Sequence, residues 1–230
     1  MISVVIPVHN EESRIDNAIK FLRETSPLYP TEIVVVDGGS ADRTREIASG
    51  LADKVLSSSK VSRGLQMRLG AQKSGGDPIV FLHADTQLPS NWQEIVRKAF
   101  IENPNPPVAA AFSLDFDSDG FPYKWITGLS KLRTKFTGIP QGDQGLIVRR
   151  DAYFSSGGFD DVPLMEEYLF IPKLKRLGEV RIFRERIVTS VRKYEKKGPL
   201  RNSLANSFFI LLFYLGVSPK KLAEWYRWRF

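Results

Sequence analysis

Short apolar segments alternate with amphipathic segments over residues 1–103. The apolar segments are rich in Val and Ile, and few polar residues interrupt them. Such runs are typical of strands buried on both faces of a parallel sheet. The pattern therefore predicts an α/β fold, a mostly parallel sheet with helices on both faces. The predicted strands cover residues 3–8, 33–36, 55–56 and 78–82, and the predicted helices cover residues 15–22, 43–49, 63–73 and 92–100.

The pattern is less regular after residue 103. It predicts strands at 108–116 and 146–148, helices at 123–136 and 166–177, and a loop at 138–145. An apolar segment at 200–215 and a shorter segment after Pro219 are predicted to form a helical tail that is rich in basic residues. We interpret the chain as one domain, 1–230, made of two halves, 1–103 and 104–190, and a helical appendage, 191–230.

Polar residues follow three of the predicted strands. The first strand is followed by His9, Asn10 and Glu11, the second by Asp37 and Gly38, and the fourth by His83, Ala84 and Asp85. Ligands of open α/β sheets bind beyond the carboxyl ends of the strands. Each residue taken alone also has a structural interpretation, such as a helix cap for Asn10 or a tight turn for Gly38. Taken together, they favour a binding site.

The predicted βα loops contain neither of the common glycine-rich phosphate motifs, GxxxxGK[ST] and GxGxxG. A carboxylate at a strand end can instead hold a hard divalent cation, which then binds a diphosphate. Asp85 is the candidate for this metal site. Asp37 is better suited to a base or a ribose, whose N–H and O–H groups need an acceptor.

Composition narrows the class of protein. The chain has 33 Lys and Arg, 26 Asp and Glu, two His and no Cys, which excludes a disulfide framework and a thiol nucleophile. Charge is unequally divided: residues 1–167 carry 18 basic and 22 acidic side chains, and residues 168–230 carry 15 and 4. The basic third indicates an anionic partner such as phosphate, acidic lipid or nucleic acid, or else a solvated basic surface.

The tail combines apolar and basic residues. Residues 204–215 are mostly aromatic or aliphatic, and basic residues flank them at 193–201 and 220–221. Such a segment can lie on an anionic membrane surface. It can equally pack on its own domain or on a second copy of the chain, and apolar residues around nearly the whole helix favour that burial.

Two features bear on location. No apolar run reaches the roughly 18 residues of a transmembrane helix, and the N-terminus lacks the basic region of a signal peptide. We expect a cytoplasmic protein, with peripheral attachment to the inner face of the membrane as the alternative.

Three motifs in the first half resemble the family 2 glycosyltransferases of the GT-A fold. They are VVIPVHNEE at 4–12, VVVDGGSAD at 34–42 and FLHAD at 81–85. Four later motifs resemble a narrower branch called selenodomain-associated transferase 2: GDQG at 142–145, GGF at 157–159, PLMEE at 163–167 and TSVRK at 189–193. The resemblance extends over nearly the whole chain.

This resemblance implies inverting transfer of a sugar from a nucleotide-diphospho-sugar to an acceptor hydroxyl, assisted by Mg²⁺ or Mn²⁺. Residues 1–103 would bind the nucleotide sugar, and 104–190 the acceptor. The nucleotide-sugar-binding positions would be Pro7, His9, Asn10, Glu11, Asp37, Gly38, Arg63, His83, Ala84 and Asp85, with Asp85 as metal ligand. Gly142, Asp143 and Gln144 would face the donor sugar or acceptor, and Glu166 or Glu167 would be the base. Arg192 and Lys193 would contact the diphosphate, unless Arg192 forms a structural salt bridge.

Two positions depart from the family pattern. His83 replaces the first Asp of Asp-x-Asp, which leaves one carboxylate and favours weaker metal binding unless His83 is itself a ligand. Glu167 replaces the usual Asp, and the extra methylene moves its carboxylate by about 1 Å. The pattern selects Glu167 as the base and Glu166 as its partner. We expect the helix N-terminus to keep both ionised, and their directions, about 100° apart, to prevent both from facing one pocket.

Two other functions stay open on the sequence. A nucleotidyltransferase would carry a glycine-rich loop with a basic residue after the first strand, where this chain has residues 9–12. A non-catalytic module would bind a nucleotide sugar, or nucleic acid through tail aromatics such as Trp225 and Trp228, although we expect no nucleic acid partner. The expected partners are the sugar donor and a hydroxyl acceptor, for which a lipid-linked molecule is one candidate. An anionic membrane surface and a second copy of the chain are further candidates.

Overall fold

The computed structural model describes residues 1–118, 120–191 and 198–229, with side chains as far as residue 226. Its strands are β1 (Ile2–Val8), β2 (Thr31–Asp37), β3 (Lys54–Ser57), β4 (Ile79–Phe81), β5 (Thr86–Gln87), β6 (Ala109–Phe116), β7 (Leu146–Val148) and β8 (Val180–Thr189). Its helices are α1 (Ile15–Glu24), α2 (Thr44–Ser49), α3 (Arg63–Lys73), α4 (Trp92–Val96), α5 (Phe121–Thr137), α6 (Arg150–Ser155), α7 (Glu166–Lys175), α8 (Pro199–Tyr214) and α9 (Pro219–Arg229). A π-helical turn, Arg97–Ile101, extends α4, and a 3₁₀ turn, Gly142–Gln144, precedes β7.

The strands form one sheet in the order β3-β2-β1-β4-β7-β6-β8-β5. The first four run parallel, β7 is antiparallel to both of its neighbours, β6 and β8 are parallel, and β5 is antiparallel to β8. The predicted mostly parallel α/β sheet is confirmed. Because β1, β2 and β4 are parallel neighbours, their carboxyl ends meet at one edge, with Val8 in register with Asp37.

Helices cover both faces of the sheet, as predicted. Alternate residues of a strand point to opposite faces. In β1, Val4 and Ile6 pack into a core with α1 and α4, whereas Val5 packs into a second core with α3, α6 and α7. The strands are therefore buried on both faces, which explains their unbroken apolar sequences.

Strand β8 was not predicted. It carries the exposed run Arg184, Glu185 and Arg186 at its centre, which hides the strand pattern, and it pairs with β6 across a register shift. Its last residue, Thr189, pairs with Thr86 of β5. This pairing brings Thr189 and Ser190, the first two residues of the TSVRK motif, beside the loop after β4. Arg192 and Lys193, which follow in the chain, lie outside the described residues.

The tail packs on its own domain through one face only. Phe209 of α8 and Leu222 of α9 are buried in the core that contains α7, whereas Leu204 and Leu211 of α8 are exposed. Burial of the tail is thus confirmed for part of its apolar surface. Among the helices of the described ranges, none has both the length and the apolar character that a bilayer crossing requires.

Candidate functional site

A cleft of about 470 Å³ opens beside the carboxyl end of β4. Its walls are the first turns of α3 and α7, the loop before β7, and the tail helices. The cleft brings together many of the residues that the sequence singled out, although they come from both halves of the chain. They are Arg63, His83, Asp85, Gly142, Asp143, Glu166 and Glu167.

The end of β8 fixes the backbone of Asp85. The amide of Ser190 donates to the Asp85 carbonyl at 3.1 Å, and the Thr189 hydroxyl donates to the same oxygen at 3.4 Å. The hydroxyls of Thr189 and Thr86 are 3.0 Å apart. The half-buried carboxylate of Asp85 accepts a hydrogen bond from the Thr86 hydroxyl at 3.3 Å and lies at the cleft wall.

Gly142 lies between two predicted site residues. A Cβ atom at this position would overlap the carboxylate of Glu167 and would lie 2.8 Å from the ring of His83. Both contacts are shorter than any side chain tolerates. Glycine at 142 therefore lets Glu167 and His83 approach each other across the backbone.

Glu166 and Glu167 both line the cleft, which contradicts the expectation that only one would. The cleft covers the end of α7 rather than its side, since residues 164–168 all line it. Met165, just before the helix, has the left-handed φ of 67°, a conformation that costs energy in a non-glycine residue. Both residues thus reach the cleft from the start of α7, Glu166 beside Arg63 and Glu167 beside Gly142.

The expectation that the helix N-terminus keeps Glu167 ionised is also wrong. Burial raises the pKa of Glu167 to about 8, and the neighbouring charge of Glu166 adds to the effect, whereas Arg63 opposes it. The Nη1 atom of Arg63 is 3.4 Å from Oε1 of Glu166. Desolvation and like-charge repulsion in the cleft therefore outweigh the helix dipole.

Asp143 is a second perturbed carboxyl group. Its burial raises its pKa, and the charge of Arg133 works in the opposite direction. Within the described residues, the buried Oδ1 atom of Asp143 and the buried Oε1 atom of Glu167 have no hydrogen-bond partner. Leaving such acceptors buried without a partner costs free energy unless a ligand, a cation or a proton satisfies them. The cleft is therefore suited to a ligand that brings a hydrogen-bond donor or a cation.

The donor set at Asp85 suits a divalent cation shared with a ligand. In the described part of the chain, no three His, Asp or Glu side chains converge into a complete cage. Mg²⁺ is commonly held by one or two carboxylates together with substrate phosphates and water. A single carboxylate at a strand end fits that mode of binding.

The loops after β1 and β2 form a separate cluster at the same sheet edge, outside the cleft lining. Asp37 accepts hydrogen bonds from the amide of Ser40 at 3.1 Å and from its hydroxyl at 2.5 Å. Asn10, with φ of 54°, accepts from the amide of Ala41 at 2.9 Å. The side-chain amide of Gln66 donates to the carbonyls of Val8 and Val36, at 2.8 Å each, and lies against Gly38. The two loops thus form one connected surface.

The remaining described residues that the sequence predicted for the site lie outside the lining of the cleft. Pro7 and Glu11 are half-buried and His9 is exposed in the β1 loop. Ala84 lines a smaller cavity of about 240 Å³ on the far side of Asp85. Gln144 points inward, where its amide donates to the carbonyl of Phe112 at 2.9 Å, so its side chain supports the loop and does not line the cleft.

Sequence reasoning missed the wall that the tail contributes. Asn202, Asn206 and Tyr226 line the cleft, although the tail looked like an appendage. A signal was present: Asn202 and Asn206 are one helical turn apart and therefore share a face of the helix. Polar residues at that spacing mark the face that the helix turns toward a polar site.

Comparison with known proteins points to one family. The sequence model of Glycosyl transferase family 2 matches residues 3–159, more than half of the chain. Undecaprenyl-phosphate 4-deoxy-4-formamido-L-arabinose transferase of Pseudomonas paraeruginosa is 27% identical over 236 aligned positions, covering 96% of this chain and 67% of that protein. 4,4'-Diaponeurosporenoate glycosyltransferase of Staphylococcus haemolyticus is 34% identical over 94 positions, covering 38% of this chain. The chain spans only 24% of that second relative.

A solved structure supports the fold. Glucosyl-3-phosphoglycerate synthase from Mycobacterium tuberculosis, crystallised with Mn²⁺, uridine diphosphate and glucosyl-3-phosphoglycerate, matches with a TM-score of 0.62 and 20% sequence identity. The match covers 89% of this chain and 77% of that one. The GT-A fold expected from the sequence motifs is confirmed.

Proposed function

The chain belongs to glycosyl transferase family 2, and from that premise we propose that it transfers a sugar from a nucleotide-diphospho-sugar to an acceptor hydroxyl with inversion at the anomeric carbon. The observation that carries the proposal is the cleft itself. It combines a strand-end carboxylate, Asp85, with a cation, Arg63, and a buried carboxyl group, Glu167. Inverting transfer needs these three kinds of group: one to hold the diphosphate through a metal, one to neutralise it, and one to take a proton.

The donor would lie along the sheet edge. Its nucleoside would contact the connected loops after β1 and β2, where Asp37 offers a carboxylate to base or ribose hydroxyls. Its diphosphate would reach the cleft at Asp85 and Arg63. The neighbouring carboxylates, Glu166 first among them, raise the pKa of Arg63, and its side chain is half exposed, so it stays cationic and can pair with phosphate oxygens.

A divalent cation held by Asp85 would supply positive charge to the departing diphosphate. Arg63 would add a second positive charge from the start of α3. In this scheme, the bond from the anomeric carbon to the diphosphate oxygen breaks as the acceptor oxygen attacks from the opposite face.

Glu167 would accept the proton of the acceptor hydroxyl. A general base works best when its pKa lies near the operating pH, and the pKa of Glu167 is raised to about 8. Its Oε1 atom has no hydrogen-bond partner among the described residues, so it is available to an incoming hydroxyl. Glu166 would be a positioning residue, because its carboxylate is engaged by Arg63 at 3.4 Å.

The proposed acceptor is a hydroxyl-bearing molecule that enters from the side of α7 and the tail. A lipid-linked acceptor is supported by the name of the undecaprenyl-phosphate transferase relative. The proposed location, peripheral on a cytoplasmic membrane face, follows from that acceptor.

A thermal-shift screen tests the donor class. The protein would be melted with UDP, GDP and a panel of nucleotide sugars, each with Mn²⁺ and with EDTA. A ligand at 100 times its dissociation constant stabilises by about 2.7 kcal/mol, which is a readable shift. We expect one nucleotide and its sugar to stabilise the protein with Mn²⁺ and much less with EDTA. A protein that no nucleotide or nucleotide sugar stabilises would contradict the proposal.

A further inference from the structure

Helix α5 carries its large apolar side chains on the outside. The exposed stripe consists of Phe121, Trp125, Leu129, Leu132 and Phe136, spaced by three or four residues along one helix face. Phe121 and Phe136 are 80% and 79% exposed, close to full exposure. The buried face of the same helix contains Thr127, Ser130 and Thr134, and Ile126 as its one buried aliphatic side chain. An ordinary surface helix buries its apolar stripe, whereas α5 leaves most of its large apolar side chains exposed.

Helix α8 also exposes a stripe of large apolar side chains. This stripe consists of Leu200, Leu204, Phe208 and Leu211, at the same spacing as the stripe of α5. Its buried face carries Asn202, Ala205 and Phe209. The two helices pack side by side and enclose a groove of about 410 Å³, whose lining includes Leu129, Leu132 and Phe136 of α5 and Ile210 and Leu211 of α8. A contiguous exposed apolar surface marks a site of contact with a protein or a membrane.

The charged side chains within these two helices have one sign. The sequences of α5 and α8 contain Lys124, Lys131, Arg133, Lys135 and Arg201, and neither helix contains an Asp or a Glu. Lys124, Lys131 and Lys135 are exposed. A cationic apolar face complements the negative surface of a bilayer that contains acidic lipids. Two copies of the same cationic face would repel each other, which disfavours self-association.

The groove adjoins the candidate active site. Gln141, Asn206 and Ile210 line both the groove and the cleft. A surface on which α5 and α8 rest would therefore lie next to the side of the cleft where the acceptor enters.

We propose that α5 and α8 together form a docking surface for an anionic lipid bilayer, with the exposed aromatic and leucine side chains in the interfacial region and the lysines at the acidic headgroups. The sequence offered membrane contact of the tail as an alternative to its burial; the structure adds α5 as the more exposed half of the surface. The exposed side chains and charges of α5 and α8 support this surface independently of any activity, whereas its link to the acceptor rests on the proposed function.

Vesicle flotation tests this surface. The full chain would be mixed with vesicles of phosphatidylcholine alone, or of phosphatidylcholine with one-third phosphatidylglycerol, at low salt. We expect binding to the acidic vesicles only, and release near 1 M salt, where the Debye length falls to about 3 Å. The double variant Phe121→Ser with Phe136→Ser should lower partitioning at least about tenfold, because it removes two aromatic side chains from the interface.

Matched variants separate this effect from misfolding. Leu28→Ser with Leu177→Ser removes two exposed apolar side chains elsewhere, 57% and 46% exposed, and should bind like the parent. Lys124→Gln with Lys131→Gln should weaken vesicle binding about fivefold per lysine. The control Lys73→Gln, on α3, should leave vesicle binding unchanged. All variants should keep the parent melting temperature, since the altered side chains are exposed.

Three results would overturn the proposal. The first is a parent protein that stays unbound with acidic vesicles at low salt. The second is binding that the α5 variants leave unchanged. The third is a concentration-dependent dimer, seen by analytical ultracentrifugation, that the Phe121 and Phe136 changes dissociate, since a second copy would then cover the face. Binding of UDP in solution, measured on the same samples, reports on the proposed function separately.

Discussion

The guanidinium of Arg63 lies 3.4 Å from the carboxylate of Glu166, and this ion pair joins the first turn of α3 to the first turn of α7. The two residues are far apart in sequence and come from different halves of the chain. Their pairing places a fixed positive charge beside two adjacent carboxyl groups. Arg63 thereby opposes the rise in the pKa of Glu167 that burial and Glu166 produce.

Removing that cation should move the pH dependence of turnover. In Arg63→Gln, the pKa of Glu167 should rise further above about 8, because the positive charge that opposes this rise is lost. The alkaline pH at which kcat reaches its plateau should rise accordingly, whereas Arg63→Lys should shift it less. The measurement is kcat against pH at saturating donor. A profile identical to that of the parent would show that Arg63 does not act on the base.

Glu167→Gln should keep donor binding and lower turnover by at least ~100-fold, the usual scale for losing a general base. Glu166→Gln should lower it less, because that carboxylate faces Arg63. The check is kcat for both variants, together with donor affinity by calorimetry. Parent-like turnover of Glu167→Gln would refute the assignment, and a larger loss in Glu166→Gln would transfer the role to Glu166.

The same residue should make stability depend on pH. The pKa of Glu167 is about 8 in the folded protein, against the ordinary value of 4.5. Between these values the folded state binds more protons than the unfolded state, so stability should fall as the pH rises from 4.5 toward 8. Glu167→Gln removes this loss. Its melting temperature should exceed that of the parent by a margin that grows with pH, while Glu24→Gln, at the exposed end of α1, should show no such trend.

Asp85→Ala should abolish the coupling between metal and nucleotide. In the parent, Mn²⁺ should tighten UDP binding, because one ion would contact both the carboxylate and the diphosphate. The affinity for UDP would be measured by calorimetry with Mn²⁺ and with EDTA. The parent and the control Asp161→Ala should bind UDP more tightly with Mn²⁺, whereas Asp85→Ala should bind it equally under both conditions. Equal UDP affinity in the parent under both conditions would argue against a metal at this position.

Gly142→Ala should damage the site without unfolding the chain. The new Cβ would overlap Glu167 and crowd His83, so the loop or the base must move, and displacement of about 1 Å can cost 100-fold in turnover. Gly128→Ala is the matched control. Its Cβ would meet no atom within 4 Å, and it should stabilise α5 by up to about 1 kcal/mol. Equal activity of the two variants would show that position 142 is unconstrained.

Local patterns predicted the elements that follow simple rules. Buried parallel strands such as β1 have unbroken apolar sequences, and α3 begins and ends where its pattern predicts. The position of Asp85 at the same sheet edge as the loops after β1 and β2 followed from the polarity of a parallel sheet. Strand β8 was missed because its exposed charged residues and its irregular pairing with β6 disturb the two-residue repeat.

Tertiary packing determined what the local pattern could not. The pKa of Glu167 depends on burial and on Arg63, which no spacing in the sequence reveals. The shared orientation of Glu166 and Glu167 depends on the left-handed turn at Met165 and on a cleft that covers the helix end. The roles of α5 and α8 depend on which helix face the fold leaves uncovered, since both helices contain apolar residues on more than one side.

The contribution of α8 and α9 to the cleft has a consequence for the protein during synthesis. Residues 63–168 supply most of the walls, but Asn202, Asn206 and Tyr226 complete the enclosure. A ribosome releases the earlier walls first, so the cleft of a nascent chain that has reached only β8 would lack the wall that the tail supplies. A ligand bound there would be open to water on the side that the tail later covers. The order of translation therefore delays completion of the cleft until α8 and α9 have followed.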